Sequence, residues 1–362
     1  MTVSRHDDRV VVYRGAVVEN THRVHAAVTD ATGKLLFAVG NPHRITLARS
    51  AAKPVQVLSL LEVDGFDRYG FDETDLALMC ASHSSEEAHI ERARTMLDKI
   101  PAKEQVLRCG GHEAISLEVN RRWIREGFTP GAICNNCSGK HVGMYAAARL
   151  LNENGAADYH LPTNEIQAKV ARTFQELSGL SPGEIQWAVD GCNLPAPALP
   201  LRDIGCLFAK VAAGADAVEQ QGAVPARTRR LAQIFNAMWR HPDMVGGKDR
   251  FCTELMSQFH GALIGKLGAE GCYGVAIRES EQTRRLGAQG AVGIAVKIED
   301  GSIEILYAAV MEILQQLNIG TQEQRQSLSK FHYPARTNTV GKTTGRITFD
   351  LKVRPEGMIL PN

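Results

Sequence analysis

The sequence predicts an α/β protein whose sheet is assembled from both ends of the chain, with a helical subdomain inserted between them. Three observations predict it. Runs rich in β-branched residues lie near the start, helical periodicity fills the middle, and strand signals return toward the end. The expected division is residues 1–62 and 260–362 for the sheet domain and residues 63–259 for the mainly helical subdomain.

Val10 to Tyr13 and Val24 to Val28 read as strands, because stiff β-branched side chains suit a pleated surface. Leu35 to Val39 follows Thr32-Gly33-Lys34, which reads as a hairpin turn. At Ser50 the pattern changes. Serine is a good N-cap, Ala51 and Ala52 favour helix, and Pro54 is tolerated in a first turn. Val55, Val57, Leu58, Leu60 and Leu61 then make that helix a buried one. Further helical patterns cover Glu86 to Lys99, His141 to Leu151, Glu165 to Leu177 and Arg227 to Arg240, the first started by Ser84 or Ser85. The Gly/Ala-rich polar stretch Ala212 to Val224 reads as a surface loop. Tyr273 to Arg278 and Ala291 to Lys297 read as strands, the second closed by the turn Glu299-Asp300-Gly301. Ser302 to Gln316 carries helical periodicity, and a strand-like tail runs from about Gly345 to Val353.

With 362 residues and 44% hydrophobic content the chain can bury a large core. Its formal charge is +1 and it has no Lys/Arg tract with interleaved aromatics, which argues against nucleic acid as a partner. The opening Met1-Thr2-Val3-Ser4-Arg5-His6-Asp7-Asp8-Arg9 lacks the apolar segment of a secretory signal. No run of about 18 apolar residues occurs that could span a membrane. A cytoplasmic location is therefore expected. The eight cysteines read in that setting as thiols or ligands rather than a disulfide framework. Cys80 and Cys206 lie in apolar runs and read as small core residues.

Three motifs carry chemistry. In Arg49-Ser50-Ala51-Ala52-Lys53-Pro54, a helix start would place the Lys53 amine one turn beyond the Ser50 hydroxyl on the same face. A neutral lysine there can take the serine proton. The spacing alone also suits an ordinary capped helix, and a second instance, Ser327-Leu328-Ser329-Lys330, has no chemistry around it. Lys266-Leu267-Gly268 places a lysine where a strand begins, with a glycine two residues on that opens the backbone to a close approach. Ser82 and His83 precede a helix start, and on pattern alone Ser82 reads as structural. The third motif is Cys134-Asn135-Asn136-Cys137-Ser138-Gly139-Lys140-His141, with Asp190-Gly191-Cys192-Asn193-Leu194-Pro195 downstream. Cys134 and Cys137 have Cys-x-x-Cys spacing, yet no second pair exists for a structural zinc and no βαβ context for a redox pair. An open metal site with fewer protein ligands and a pair of unliganded thiols both stay compatible with it. Gly139-Lys140 is not a phosphate loop, because the upstream glycine is missing.

Together these motifs resemble the rhizobial-type, class 3 L-asparaginases, the asparaginase II family with a serine β-lactamase-like fold. The resemblance runs from about Gly15 to Gly345 and also includes Val18-Glu19-Asn20-Thr21-His22-Arg23-Val24-His25 and Asn136-Cys137-Ser138-Gly139-Lys140-His141-Val142-Gly143-Met144. It implies an antiparallel sheet from both chain ends flanked by helices, plus the inserted helical subdomain. It implies a Ser-Lys tandem of Ser50 and Lys53 and a second one of Ser82 and Lys266, which reverses the structural reading of Ser82. It implies Cys137, Lys140 and Cys192 as the three protein ligands of a zinc ion, leaving Cys134 a bystander. Arg49, His141 and Asp190 are implied beside these groups, suited to the substrate's carboxylate and ammonium or to supporting the metal. The activity implied is hydrolysis of the side-chain amide of L-asparagine by a homodimeric enzyme. The rivals are another serine amidohydrolase of this fold, a glutaminase or β-lactamase-like enzyme, and a non-catalytic zinc-dependent sensor.

Overall fold

The computed structural model describes residues 8–358. Residues 1–7, which hold most of the stretch bearing on a secretory signal, and residues 359–362 lie outside the described residues. Among the described residues no helix is long and apolar enough to cross a membrane.

The chain opens on strands β1 (Arg9–Arg14), β2 (Val17–Asp30) and β3 (Leu35–Val39), then passes through a 3-10 turn over Arg49–Ala52 into helix α1 (Lys53–Leu61). Helices α2 (Glu73–Met79), α3 (Glu87–Lys99), α4 (Ser138–Leu151) and α5 (Glu165–Ser178) follow, then a hairpin of β4 (Gln186–Val189) and β5 (Pro195–Pro200). Next come α6 (Leu201–Gln221), α7 (Ala226–Arg240), strands β6 (Leu263–Gly268), β7 (Cys272–Ile277) and β8 (Val292–Ile298), helix α8 (Ile303–Gln316) and strand β9 (Thr343–Asp350). Two compact units result. One comprises the chain up to Ala51, Leu199–Ala213 and the chain from Gly265 on; the other comprises Ala52–Ala198 and Gly214–Ile264. Relative to the expected boundaries, α1 belongs with the helical unit and the first part of α6 with the sheet unit.

The sheet unit is built from both chain ends, in the order β9-β1-β2-β8-β7-β6, with β3 also on β2. β1 pairs antiparallel with β9 and β2, β2 with β3 and β8, and β7 with β8. Sequence explains how helices cover it. Tyr273-Gly274-Val275-Ala276-Ile277 and Val292-Gly293-Ile294-Ala295-Val296 alternate large with small, and successive side chains leave a strand on opposite faces. Gly274 pairs with Ala295 and Gly293 with Ala276, so the small residues share one face. Helix α6 lies there so closely that a Cβ on Gly293 would fall 1.8 Å from the Gly205 carbonyl oxygen, and one on Gly274 would fall 2.0 Å from the Phe208 ring. The large residues form the other face, where Tyr273 meets Tyr307 of α8 edge-on at 6.2 Å.

In the helical unit, α1 is buried along its whole length and is packed by α2, α4, α5 and α7. That is the environment a mostly apolar helix with no solvated face requires, and its polar Lys53, Gln56 and Ser59 find partners within the unit. Two glycines on α4 permit its approach: a Cβ on Gly139 would meet the Leu78 carbonyl at 2.5 Å, and one on Gly143 would meet Leu60 Cδ2 at 2.5 Å. The glycine of Ser138-Gly139-Lys140 thus serves helix packing. Two expectations are corrected. The predicted loop Ala212 to Val224 is helical through Gln221, because Gly214 abuts Leu231 of α7 and the alanines around it favour helix. Ser50 does not cap α1: the capping position is Ala52, without a side-chain hydrogen bond, and Ser50 lies within the preceding 3-10 turn.

The close face makes a stability prediction. Gly293→Ala should destabilise the fold by about 2 kcal/mol or more, since overpacking a tight contact costs about 1–3 kcal/mol and this neighbour is backbone. Gly183→Ala, whose added methyl meets nothing, should stay within about 0.5 kcal/mol of the parent. Urea unfolding followed by circular dichroism measures both.

Candidate active site

In the sheet unit, Ser50 sits in a turn with unusual backbone. Arg49 has φ 50°, a left-handed conformation costly for a residue with a side chain. The Ala51 N–H donates to the Ala48 carbonyl at 3.0 Å and closes the turn. The end of β6 lies directly on it: a Cβ on Gly268 would fall 2.4 Å from the Ala48 oxygen and 3.1 Å from the Ala51 nitrogen. The missing side chain of the Lys-x-Gly motif therefore admits the Ser50 turn itself. Lys266 is two residues earlier, so it leaves the strand on the same face as Gly268. It is fully buried, and its Nζ donates to the Leu267 carbonyl at 2.7 Å.

In the helical unit, Lys53 is the first residue of α1 and has no solvent exposure. Its Nζ donates to the Ala81 carbonyl, to Ser82 Oγ at 3.1 Å and to Cys137 Sγ at 3.1 Å. Ser82 is thus a hydroxyl that this lysine meets within the helical unit. Ser82 follows α2, and its N–H donates to the Val245 carbonyl at 3.0 Å. The rest of the loop is buried despite being polar: His83, Ser84 and Ser85 all have no exposure. His83 Nδ1 accepts from the Ser85 N–H at 3.1 Å, so its Nε2–H donates to Ser138 Oγ at 2.9 Å. Burial, then the nearby His89 and Lys53, hold His83 well below the usual imidazole range and keep it neutral.

Cys137 precedes α4, and Lys140 follows three residues later on the same side of the first turn. Cys192 comes from the β4–β5 hairpin loop, which is closed by the Asp190 N–H donating to the Leu194 carbonyl at 2.8 Å and by a left-handed Asn193 at φ 65°. Lys140 Nζ donates to Cys192 Sγ at 3.2 Å. A hydrogen bond from Cys192 is the main influence that holds the Cys137 thiol well below its usual range; the amines of Lys53 and Lys140 help, against the opposing effect of burial. The same hydrogen bond and burial push Cys192 up. Burial disfavours the charged amine of Lys140, yet Cys192, Cys137 and the Asp190 carboxylate outweigh it and raise that amine. These influences favour proton loss at Cys137 over Cys192 and proton retention at Lys140.

These three donors fit a zinc ion. Sulfur and nitrogen ligands of a tetrahedral zinc lie about 3.5 Å apart, close to the observed 3.2 Å, and two thiols with a neutral amine suit its borderline softness. Binding would displace the protons on Cys192 and Lys140. Among the described residues no group of three or more His, Cys, Asp and Glu forms a metal site, so the set depends on its lysine. Cys134 stands apart. Its thiol is raised by burial, and the groups acting on it are Gly131, Glu104 and Arg94, not those around Cys137. All eight cysteines are buried and none is in a disulfide.

His141 is fully buried, with Nδ1 2.6 Å from the Tyr159 hydroxyl and the Cys192 backbone also acting on its imidazole. Burial, then Lys140 and Lys53, keep its imidazole neutral. Sequence reasoning missed His83 as a brace, Tyr159, and Cys109. The Cys109 thiol is pushed up to about 12 by burial and by the neighbouring Cys137. The one visible signal was the run Ser82-His83-Ser84-Ser85, four polar residues without a glycine or proline to mark a solvated turn.

A comparison with curated proteins finds no match. Among solved structures the chain is similar to the Bacillus subtilis probable glutaminase, at 14% identity and a TM-score of 0.32, over 77% of this chain and 82% of that one. The family model described as L-asparaginase II matches residues 10–349, from β1 to the end of β9, and includes every residue of the candidate site. The chain belongs to the L-asparaginase II family.

Proposed function

We propose that the chain hydrolyses the side-chain amide of L-asparagine to L-aspartate and ammonia through an acyl-enzyme formed on serine. The observation that carries the reading is the Lys53 amine, fully buried, 3.1 Å from a serine hydroxyl and one turn after another in the sequence. A lysine amine beside a serine hydroxyl is what a Ser-Lys route needs, because the amine takes the hydroxyl proton as the oxygen attacks. Family membership supports the substrate class.

In this reading Ser50 attacks the amide carbon, Lys53 takes its proton and returns it to departing ammonia, and water releases aspartate. Ser82 and Lys266 relay protons. Arg49, His141 and Asp190 hold the carboxylate and ammonium of the substrate. The strained backbone at Arg49 and the absence of any capping role for Ser50 support Ser50 as nucleophile, since strain of this kind collects at functional positions. The contact between Lys53 and Ser82 favours a second reading, in which Ser82 attacks. Cys137, Lys140 and Cys192 would hold zinc, which when bound supplies a Lewis acid that polarises and orients a substrate oxygen.

Ser50→Ala and Lys53→Ala are each expected to lower turnover at least about 10²-fold with circular dichroism unchanged. A folded Ser50→Ala protein of near-normal turnover, beside an inactive Ser82→Ala, moves the nucleophile to Ser82. Ammonia release should be fastest from asparagine when measured beside glutamine, and a chromogenic β-lactam should stay intact. Faster release from glutamine overturns the substrate assignment.

Elemental analysis should find one zinc per chain, lost in Cys137→Ala and Cys192→Ala and retained in Cys134→Ala. Loss from Cys134→Ala would point instead to the Cys-x-x-Cys pair. Chelated enzyme should show mainly a raised KM, as expected when a group aids binding more than the transition state. A kcat that collapses at constant KM contradicts the orienting role.

A further inference from the structure

We infer that Arg250 is a positioning residue: its guanidinium, at the end of a strap formed by residues 243–250, fixes the peptide that follows Ser82 and so holds the Ser82 hydroxyl against the Lys53 amine. The inference rests on the reading of Ser82 as a proton relay or nucleophile, and it assigns a role to a segment outside the motifs that carry that reading.

The loop that begins at Ser82 is costly to form. Ser82, His83, Ser84 and Ser85 are buried, and Ser85 has φ 60°, a left-handed conformation that a residue with a side chain keeps only where its surroundings impose it. The strap supplies much of that constraint. Its Val245 carbonyl accepts from the Ser82 N–H at 3.0 Å, its Gly246 carbonyl from Ser84 Oγ at 2.9 Å, and its Asp243 carbonyl from His89 Nε2 of α3 at 2.9 Å. The Lys248 N–H donates to Glu86 Oε1 at 2.9 Å. Glycine at 247 lets the two segments touch. Its φ is 109°, and a Cβ there would fall 2.8 Å from Ser84 Cβ.

Arg250 closes the strap. Its Nη1 carries two protons and faces two acceptors, Ser84 Oγ at 3.2 Å and the Ser82 carbonyl at 3.5 Å. Ser82 is therefore held on both sides, its N–H by Val245 and its carbonyl by Arg250. With both flanking peptides fixed, the freedom left to this serine is rotation about χ1, and its Oγ lies 3.1 Å from Lys53 Nζ. Removing the guanidinium takes a charge-assisted donor from two buried oxygens next to the left-handed Ser85, so the loop can relax. A shift of about 1 Å at a reacting group can cost about 10²-fold in rate. Ser82 acts in proton transfer or attack, so the loss falls on the chemical step more than on binding.

The test uses the purified full chain. Arg250→Met keeps an unbranched apolar stem and removes the donors; it should lower kcat for asparagine about tenfold with KM within about twofold of the parent. Arg250→Lys should recover most of that kcat, because one nitrogen makes both bonds and an ammonium can stand in its place. Hydrogen–deuterium exchange read by mass spectrometry should be faster in peptides covering residues 80–86 of Arg250→Met and parental in α1 and α4. Parental kcat in Arg250→Met overturns the inference whatever the exchange shows. So does a lower kcat without faster exchange, since Arg250 would then act on the reaction and not on the loop, and so does an Arg250→Lys enzyme no better than Arg250→Met. If Arg250→Met fails to fold, Ser84→Ala, which removes one of the two acceptors, should still speed exchange over residues 80–86 and lower kcat about threefold; parental values for both overturn the inference. A parent protein that does not hydrolyse asparagine overturns the functional reading instead, while exchange still reports whether Arg250 holds the Ser82 loop.

Discussion

A lysine amine with no access to water dictates much of the helical unit. Such a group is tolerated in an interior only when it finds hydrogen-bond partners. Lys53 finds three: a carbonyl and a hydroxyl from the loop after α2, and the sulfur of Cys137 just before α4. The beginnings of α1 and α4 and the end of α2 must therefore converge on one point. The packing is shaped to allow it, since α4 carries glycine where it meets the Leu78 carbonyl. The electrostatics follow from the same convergence. The hydrogen bond from Cys192 and the two amines lower the Cys137 thiol, and Cys192 and Cys137 in turn raise the Lys140 amine.

The loop between α2 and α3 shows how polarity is accommodated at depth. Four consecutive polar residues are buried there, and other segments of the chain supply their hydrogen-bond partners. Ser84 Oγ donates to the Gly246 carbonyl and Ser85 Oγ to the Cys134 carbonyl, while His83 links the Ser85 N–H to Ser138. Paired in this way, a buried polar network fixes side chains more tightly than apolar packing does, because each partial loss leaves a costly orphan. Ser82 is held by neighbours with little freedom to move.

Much of this was legible in the sequence. The strands near both ends, the turn at Gly33 and the helices over Glu87–Lys99, Glu165–Ser178 and Ile303–Gln316 follow from period and capping chemistry, which are local. Where sequence reasoning failed, the deciding contact was distant. Ser50 has the residue type of a cap, but the chain enters α1 through a 3-10 turn that β6 presses against. Ala212 to Gln221 has a loop-like composition, but Leu231 of α7 offers Gly214 a surface. The motif residues were visible as motifs. The contact between Lys53 and Ser82 was not, because it forms through tertiary packing. Tyr159 carried no signal at all, and His83 only that of the polar run it sits in, since their partners lie in other segments of the chain.

The pairing of β1 with β9 has a bearing on how the protein is made. The neighbour that completes β1 on that side is synthesised after nearly all the rest of the chain. Before it appears, β1 and β2 form a hairpin with an unpaired outer edge, the kind of template on which other chains add strands. The helical unit, by contrast, has all its segments outside the ribosome once the end of β6 begins to emerge. Folding should thus order the residues around Lys53 and Cys137 early and close the sheet last, through contacts of long loop length that form slowly. The risk of misassociation is then concentrated in the interval between synthesis of the hairpin and arrival of its final strand.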